Sequence, residues 1–427
     1  MTRTHLTEVR LFTAVDGEVI DDGTVVVEDR TITWAGPTMD APRPSGDDVA
    51  VDGGGRFVMP GMVEGHCHIA YANRGPRELD ATTPALAMLD AVENAQTLLA
   101  AGFTTAISFG SAHGIDVPLR DAIAGGRIPG PRLVASGPDI GATASNADGG
   151  PGLNHIADGP WAVRAAVREL ARQRCDVIKI FLDGEHLNTV APPGVLTWTD
   201  EEVDAAVGEA HGRGMRVACH ARSAAAVKQA VRAGVDFIGH ANYLDDEAVE
   251  LLRRERHRLS VGPGIAWEVS LLERGHEIGL PRDAMERIGY RAEIDATVDA
   301  VKRLRDAGVP LLIGGDYGLN IAPHGTNARD LQLFVELFSM SPVEALLCAT
   351  RDGGSAARPE GDLGTLEEGK LADLLVVDGD PTTDVALLQD PDRIVAVMQG
   401  GRIWQGLADR RPWRRDRFEL GPTGEAS

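Results

Sequence analysis

Short apolar runs recur through the middle of the chain, each followed by a stretch with helical spacing of its apolar residues. Between about residues 58 and 360 the runs are MVEGHCHI, GFTTAISFG, RLVASGPDI, CDVIKIFLD, MRVACHARS, VDFIGHAN, HRLSVGPG and VPLLIGGDYG. Runs of this length alternating with helices predict parallel strands joined by crossover helices, and eight such units predict an α/β fold of the (β/α)8 barrel type. One intervening stretch, TWTDEEVDAAVGEAHGRG, carries Thr199 and Glu202 in capping-box spacing and stops at Gly212 or Gly214, so its helix has both ends written locally.

The two ends have a different texture. VRLFTAV, TVVVEDR and TITWAG near the start, and GKLADLLVVDGDP and RIVAVMQGGRIWQ near the finish, alternate apolar and polar positions between turn-rich segments. The expectation is a small composite β-sandwich built from residues 1–57 and 361–427, with the barrel occupying 58–360.

Active sites of such barrels sit at the C-terminal ends of the strands, and polar residues collect there in five of the eight runs. Glu64, His66 and His68 alternate, so their side chains share one face and the two imidazoles can converge. Lys179 shares a face with Val177, Phe181 and Asp183. A charged amine inside a barrel is costly, so it must be paired, deprotonated or modified, and an ion pair with Asp183 or Glu185 is the structural alternative. His220, His240 and Asp316 each end a later run. Four histidines, a lysine and an aspartate offer nitrogen and oxygen donors suited to zinc and compatible with manganese, iron or cobalt. Cys67 and Cys219 are out of phase with the histidines and read as small core residues.

Composition narrows the partners. Of 427 residues, 64 are acidic and 42 are Lys or Arg, a net charge of −22 that repels nucleic acid. No apolar run approaches the roughly 18 residues of a membrane span. The opening MTRTHLTEVRLF lacks the apolar stretch of a secretory signal, and the four cysteines form no CxxC pair, so the expectation is a cytoplasmic protein without a disulfide framework. A dinucleotide-binding reading would need a glycine loop opening a helix after the first strand, whereas the Gly53–Gly55 run precedes it.

In order along the chain, MPGMVEGHCH, AGFTTAISFG, LRDAIAGGRIPGPRLVASG, DVIKIFLDG, AGVDFIGHA, GGDYG and LGTLEEGKLADLLVVDGDP resemble the amidohydrolase superfamily, specifically its binuclear branch with imidazolonepropionase-related and Xaa-Pro dipeptidase-like members. The resemblance implies two divalent metal ions, zinc foremost. His66, His68 and Asp316 would hold the first and His220 and His240 the second, with a carboxylated Lys179 bridging them. It also implies attack by a metal-bridging hydroxide, with Asp316 moving the proton to the leaving nitrogen, and a homo-oligomer. The function expected is hydrolysis of a non-peptide C–N bond in a small molecule, of cyclic amide, N-acyl or carbamate type. The alternatives are an Xaa-Pro dipeptidase or N-acyl amino acid hydrolase, and a catalytically silent scaffold. Three departures from the family pattern concern substrate: ASGPDIGATASNADGG stands where many members carry Gly-Gly-His-Gly, the first motif is His-Cys-His, and Tyr317 follows Asp316.

Loops after the strands offer Tyr71, His113, Arg222, Tyr243, Tyr317 and His324 as substrate contacts, with Asn73, Arg74, Asn188 and Trp267 as further pocket candidates. Arg222 follows His220 by two residues and could bind a carboxylate, or could be purely structural. His113 and His324 could polarise a carbonyl.

Overall fold

The computed structural model describes residues 3–73, 82–148 and 154–405. At the amino-terminal end run β1 (Arg3–Phe12), β2 (Val19–Glu28), β3 (Thr31–Pro37), β4 (Val49–Asp52) and β5 (Phe57–Pro60). The middle supplies β6 (Met62–Cys67), β7 (Phe103–Ser108), β8 (Arg132–Val134), β9 (Asp139–Gly141), β10 (Asn154–Ile156), β11 (Val177–Phe181), β12 (Arg216–Ser223), β13 (Phe237–Tyr243) and β14 (Ser260–Gly262). Near the other end lie β15 (Leu374–Val377), β16 (Ile394–Gln399) and β17 (Arg402–Gln405).

Both ends do meet in one structure. β15 pairs antiparallel with β5, Leu375 opposite Met59 and Val376 opposite Val58, and the order β17-β16-β15-β5-β1-β2-β3, with β4 on β1, makes one eight-stranded sheet. Alternation in β1, β2 and β15 feeds a separate apolar cluster that includes Val9, Leu11, Val25, Val58, Leu374 and Val376. The sheet takes in Pro60, and only Gly61 separates it from β6.

The middle strands pair in parallel, β6-β7-β8 in one set and β9-β11-β12-β13-β14 in another, with β10 beside β9. The third apolar run divides into β8 and β9 around Gly137, whose φ of +70° is a left-handed turn that a strand cannot contain. Hydrogen bonds cross between the sets: Asp176 and Val177 both donate to the Ala135 carbonyl, at 2.8 and 3.2 Å. The eighth run is not a regular strand. Leu312 donates to Val261 and Gly65 donates to Ile313, each at 2.9 Å, which places this run between β14 and β6 through isolated bridges only. Pro310 lacks a donor, and Gly314 and Asp316 take positive φ, so a continuous ladder is impossible here.

Crossover helices are punctuated as the sequence predicts. Thr199 Oγ1 accepts the Glu202 N–H while Glu202 accepts the Thr199 N–H at 2.8 Å, and the helix Asp200–His211 ends at Gly212. The helix Ala224–Ala233 begins on Ser223, which accepts from Ala226, and stops at Gly234 with φ +100°. Starts and stops fixed this closely set the strand ends, and therefore the side chains that surmount them, in place.

Candidate metal and substrate site

His66 and His68 leave β6 on one face and meet Asp316 from the eighth run. Nε2 of His68 is 3.0 Å and Nε2 of His66 is 3.6 Å from one carboxylate oxygen of Asp316. Donor atoms of these three residues lie within 4.8 Å of one another. Their orientations are imposed from behind: His68 Nδ1 contacts the Gly110 carbonyl at 3.2 Å, His68 stacks on Tyr71 with centroids 4.4 Å apart, and His66 stacks on Phe109 at 4.1 Å.

The other expected ligands line the same cavity, about 520 Å³ in volume. The His220 and His240 rings meet edge to face at 4.4 Å, and His240 lies 5.3 Å from His66. Lys179, 1% exposed, brings its amine 4.9 Å from the Phe109 ring and 4.8 Å from Phe181. Neither acid offered as its partner plays that part. Asp183 accepts the backbone N–H of Arg222 and of Ser223, each at 2.9 Å, and Glu185 accepts the Tyr290 hydroxyl and the Leu187 N–H.

Burial sets the protonation of these groups. It lowers His66, His220 and His240 well below the ordinary histidine range, leaving neutral rings with a lone pair to give. Burial lowers Lys179 as well, against the pull of Asp139 and Asp316, which favours the neutral amine that carboxylation requires. For Asp316 burial works upward, but His66, His68 and Lys179 overcome it and hold the carboxyl below its usual range. Neutral imidazoles, an ionised carboxylate and a depressed lysine, with no thiolate among them, suit hard or borderline divalent cations. The buried Nδ1 atoms of His66 and His240 have no hydrogen-bond partner among the described residues. The donor set therefore fits the metals that the sequence implies.

The substrate candidates divide. Tyr71, Arg222, Asn188 and Trp267 line the cavity, with Asn146, Asn154, Phe181, Glu185, Leu187, Thr189 and Leu319. Tyr317 does not face it: its hydroxyl donates to Asp330 at 3.2 Å, because the left-handed backbone at Asp316 turns the next side chain into the core. His324 is also committed elsewhere, its Nε2 3.1 Å from the His68 carbonyl, with burial lowering its pKa to about 4. His113 contacts the Thr82 carbonyl at 3.1 Å, and the Tyr243 hydroxyl contacts His186 at 3.1 Å. None of these four is among the cavity-lining residues. Asn73 accepts the His324 N–H at 2.8 Å, and Arg74 lies outside the described residues.

Arg222 sits differently from a free anchor. It is 1% exposed, and its Nη1 donates to Glu268 at 2.8 Å, to Asn242 at 3.4 Å and to Glu293. Its Nη2 has Glu185 at 3.6 Å, and its Nε has no partner. Glu268 and Glu293 come from helices Ile265–Arg274 and Tyr290–Asp306, neither of which carries a local pattern announcing them. Asp139 was equally silent in the sequence. It is a buried acid packed against Gly110, raised to about 6 by burial despite the opposing pull of Lys179 and His68.

The amidohydrolase family pattern matches residues 57–404, four-fifths of the chain. The chain belongs to the amidohydrolase family. This amidohydrolase is an enzyme, a hydrolase of carbon–nitrogen bonds. It is 28% identical to ochratoxinase from Aspergillus niger over 94% of this chain and 86% of that protein. It is 27% identical to imidazolonepropionase from Micrococcus luteus over 94% of this chain and 99% of that one. Among solved structures, a prolidase in complex with N-methylphosphonate-L-proline superposes with a TM-score of 0.85 at 26% identity, covering 95% of this amidohydrolase and all of that chain. No described helix is long and apolar enough to cross a membrane.

Proposed function

We propose that this enzyme hydrolyses an amide-type C–N bond of a small molecule at a centre of two divalent cations, with zinc the metal best suited to the donors. His66, His68 and Asp316 would hold one cation and His220 and His240 the other, with Lys179, carboxylated on its neutral amine, serving both. The observation that carries this reading is the convergence of His66, His68 and Asp316 at one end of a cavity also lined by Lys179, His220 and His240. We read the parallel strands and the eighth run as one (β/α)8 barrel and the end-built sheet as its composite sandwich domain, with His66 and His68 at the end of β6, Lys179, His220 and His240 within β11, β12 and β13, and Asp316 in the eighth run.

Bound there, divalent cations supply Lewis acidity to a carbonyl oxygen and bring the pKa of water toward about 7. Asp316 takes the proton as water adds to the carbonyl carbon, and returns it to the nitrogen as the C–N bond breaks, giving an acid and an amine. Phe109, Phe181 and Trp267 keep the surroundings apolar, which strengthens each of these electrostatic contacts. Dialysis against a chelator should abolish hydrolysis of a panel of cyclic amides, carbamates and N-acyl amino acids, with zinc restoring it. A folded protein that takes up no divalent cation would refute the proposal.

A second reading is favoured by Arg222. Its Nη1 side is fixed by Glu268 and Glu293, while on the Nε–Nη2 edge, the fork that binds carboxylates in bidentate fashion, Nε has no partner and Nη2 meets Glu185 only at 3.6 Å, on a residue that lines the cavity. That edge suits the carboxylate of an N-acyl amino acid or Xaa-Pro dipeptide, in keeping with the prolidase likeness. Arg222→Lys keeps the charge and removes the fork. It should raise KM for carboxylate-bearing substrates about tenfold or more, the ~1.5–3 kcal/mol of a charged hydrogen bond, and leave neutral amides unaffected. Equal effects on both classes would exclude the anchor.

A further inference from the structure

Behind the His66/His68/Asp316 group lies a buried polar layer that takes no part in the chemistry above. Asp316 itself is held at φ +62°, a left-handed conformation uncommon for residues other than glycine. Asp330, 1% exposed, grips the chain on both sides of it: one carboxylate oxygen accepts the Gly314 N–H at 2.7 Å and the other accepts the Tyr317 hydroxyl at 3.2 Å. The intervening backbone has no slack. A Cβ at Gly314 would lie 2.5 Å from the His66 nitrogen, and one at Gly315 would lie 2.5 Å from both Ala266 and Asp330.

One turn earlier in the same segment, Asn327 donates at 2.7 Å to Glu64, whose other oxygen accepts the His66 N–H at 3.1 Å. Asn327 and Glu64 are 0% and 1% exposed. A single stretch, 327–330, thus touches the strand that carries His66 and the turn that carries Asp316, two parts of the chain about 250 residues apart in sequence.

We infer that Asp330 is a positioning residue that fixes the spacing of Asp316 from His66 and His68 by clamping Gly314 and Tyr317, with Asn327 and Glu64 bracing the histidine side. The inference rests on the reading of those three residues as one metal-binding group. It also gives Tyr317 a role, as an arm of the clamp. The clamp needs hydrogen-bonding atoms rather than negative charge. An asparagine in place of Asp330 can accept the Gly314 N–H through its oxygen and donate its amide to the Tyr317 oxygen.

The test measures zinc affinity by competition with a chromophoric chelator, alongside kcat, KM and circular dichroism, for the parent, Asp330→Ala, Asp330→Asn and Tyr317→Phe. Asp330→Ala should weaken zinc binding about 10–100-fold and lower kcat comparably while KM changes less than about twofold, the scale seen when a group that orients a ligand is removed. Asp330→Asn should restore most of both, and Tyr317→Phe, which loses one arm, should fall between. Folded Asp330→Ala with parental zinc affinity overturns the inference, as does an asparagine variant no better than the alanine one. If Asp330→Ala does not fold, Tyr317→Phe decides, and parental affinity there overturns it. A parent that binds no zinc overturns the metal reading and this inference together. A parent that binds zinc beside unaffected variants overturns only the clamp.

Discussion

Asp316→Asn should yield a folded protein whose turnover is reduced about 10³-fold, within the 10²–10⁴ that general acid–base groups contribute. The backbone gives the reason to expect folding: Asn and Asp are the residues that best tolerate the left-handed φ of +62° found there, so the Gly314–Tyr317 turn keeps its shape. What changes is the oxygen that lies 3.0 Å from His68 and 3.6 Å from His66. An amide there neither carries the charge that complements a cation nor accepts a proton from water. The measurement is kcat on any substrate from the panel, with bound zinc and circular dichroism recorded on the same samples. A variant that keeps more than about a tenth of parental kcat would remove Asp316 from the proton path.

Arg222→Met should cost about 3–5 kcal/mol of stability, the scale for deleting one partner of a buried charge network. Glu268 and Glu293, both 0% exposed, would lose the guanidinium that faces them. The loss should grow with pH. Without the guanidinium both acids are pushed upward in the folded state, so between their ordinary value near 4.5 and the raised one the folded protein holds protons that the unfolded chain has released. Stability then falls as pH rises through that window. The parent shows the same sign on a smaller scale, because burial already pushes Glu268 up to about 8 despite Arg222. Glu268's favourable contribution is complete below about pH 4.5 and lost as pH rises through about 8, so Glu268→Gln should flatten that slope. Denaturant unfolding at pH 5, 6.5 and 8 checks both statements. A methionine variant within about 1 kcal/mol of the parent at pH 8 would mean that the acids are not ionised beside Arg222.

Legibility in the sequence followed the range of the interaction. His66 and His68 were readable as a converging pair because side chains two residues apart on an extended segment share a face, and both rings reach the same Asp316 oxygen. The helix Asp200–His211 could be bounded because a capping box is complete within four residues. Tyr317 could not be placed, since its direction depends on the φ of Asp316 and on Asp330, fourteen residues beyond that aspartate. Arg222 was readable as a strand-end cation near the cavity. Its carboxylate partners were not, because they arrive from two later helices whose spacing serves packing.

Local pattern by itself determined the alternation of short strands with helices, the separate β texture of the two ends, and the polar residues His66, His68, Lys179, His220, His240 and Asp316 set within or just after apolar runs. These depend on side-chain period and on turn residues that act over a few positions. Tertiary structure alone decided which of the remaining polar side chains face the cavity, that the eighth run enters through bridges instead of a ladder, and that Arg222 is held by buried acids with its Nε left without a partner. Those outcomes depend on burial and on contacts between segments distant along the chain, where removal from water makes every polar group take whichever partner the packing brings within reach.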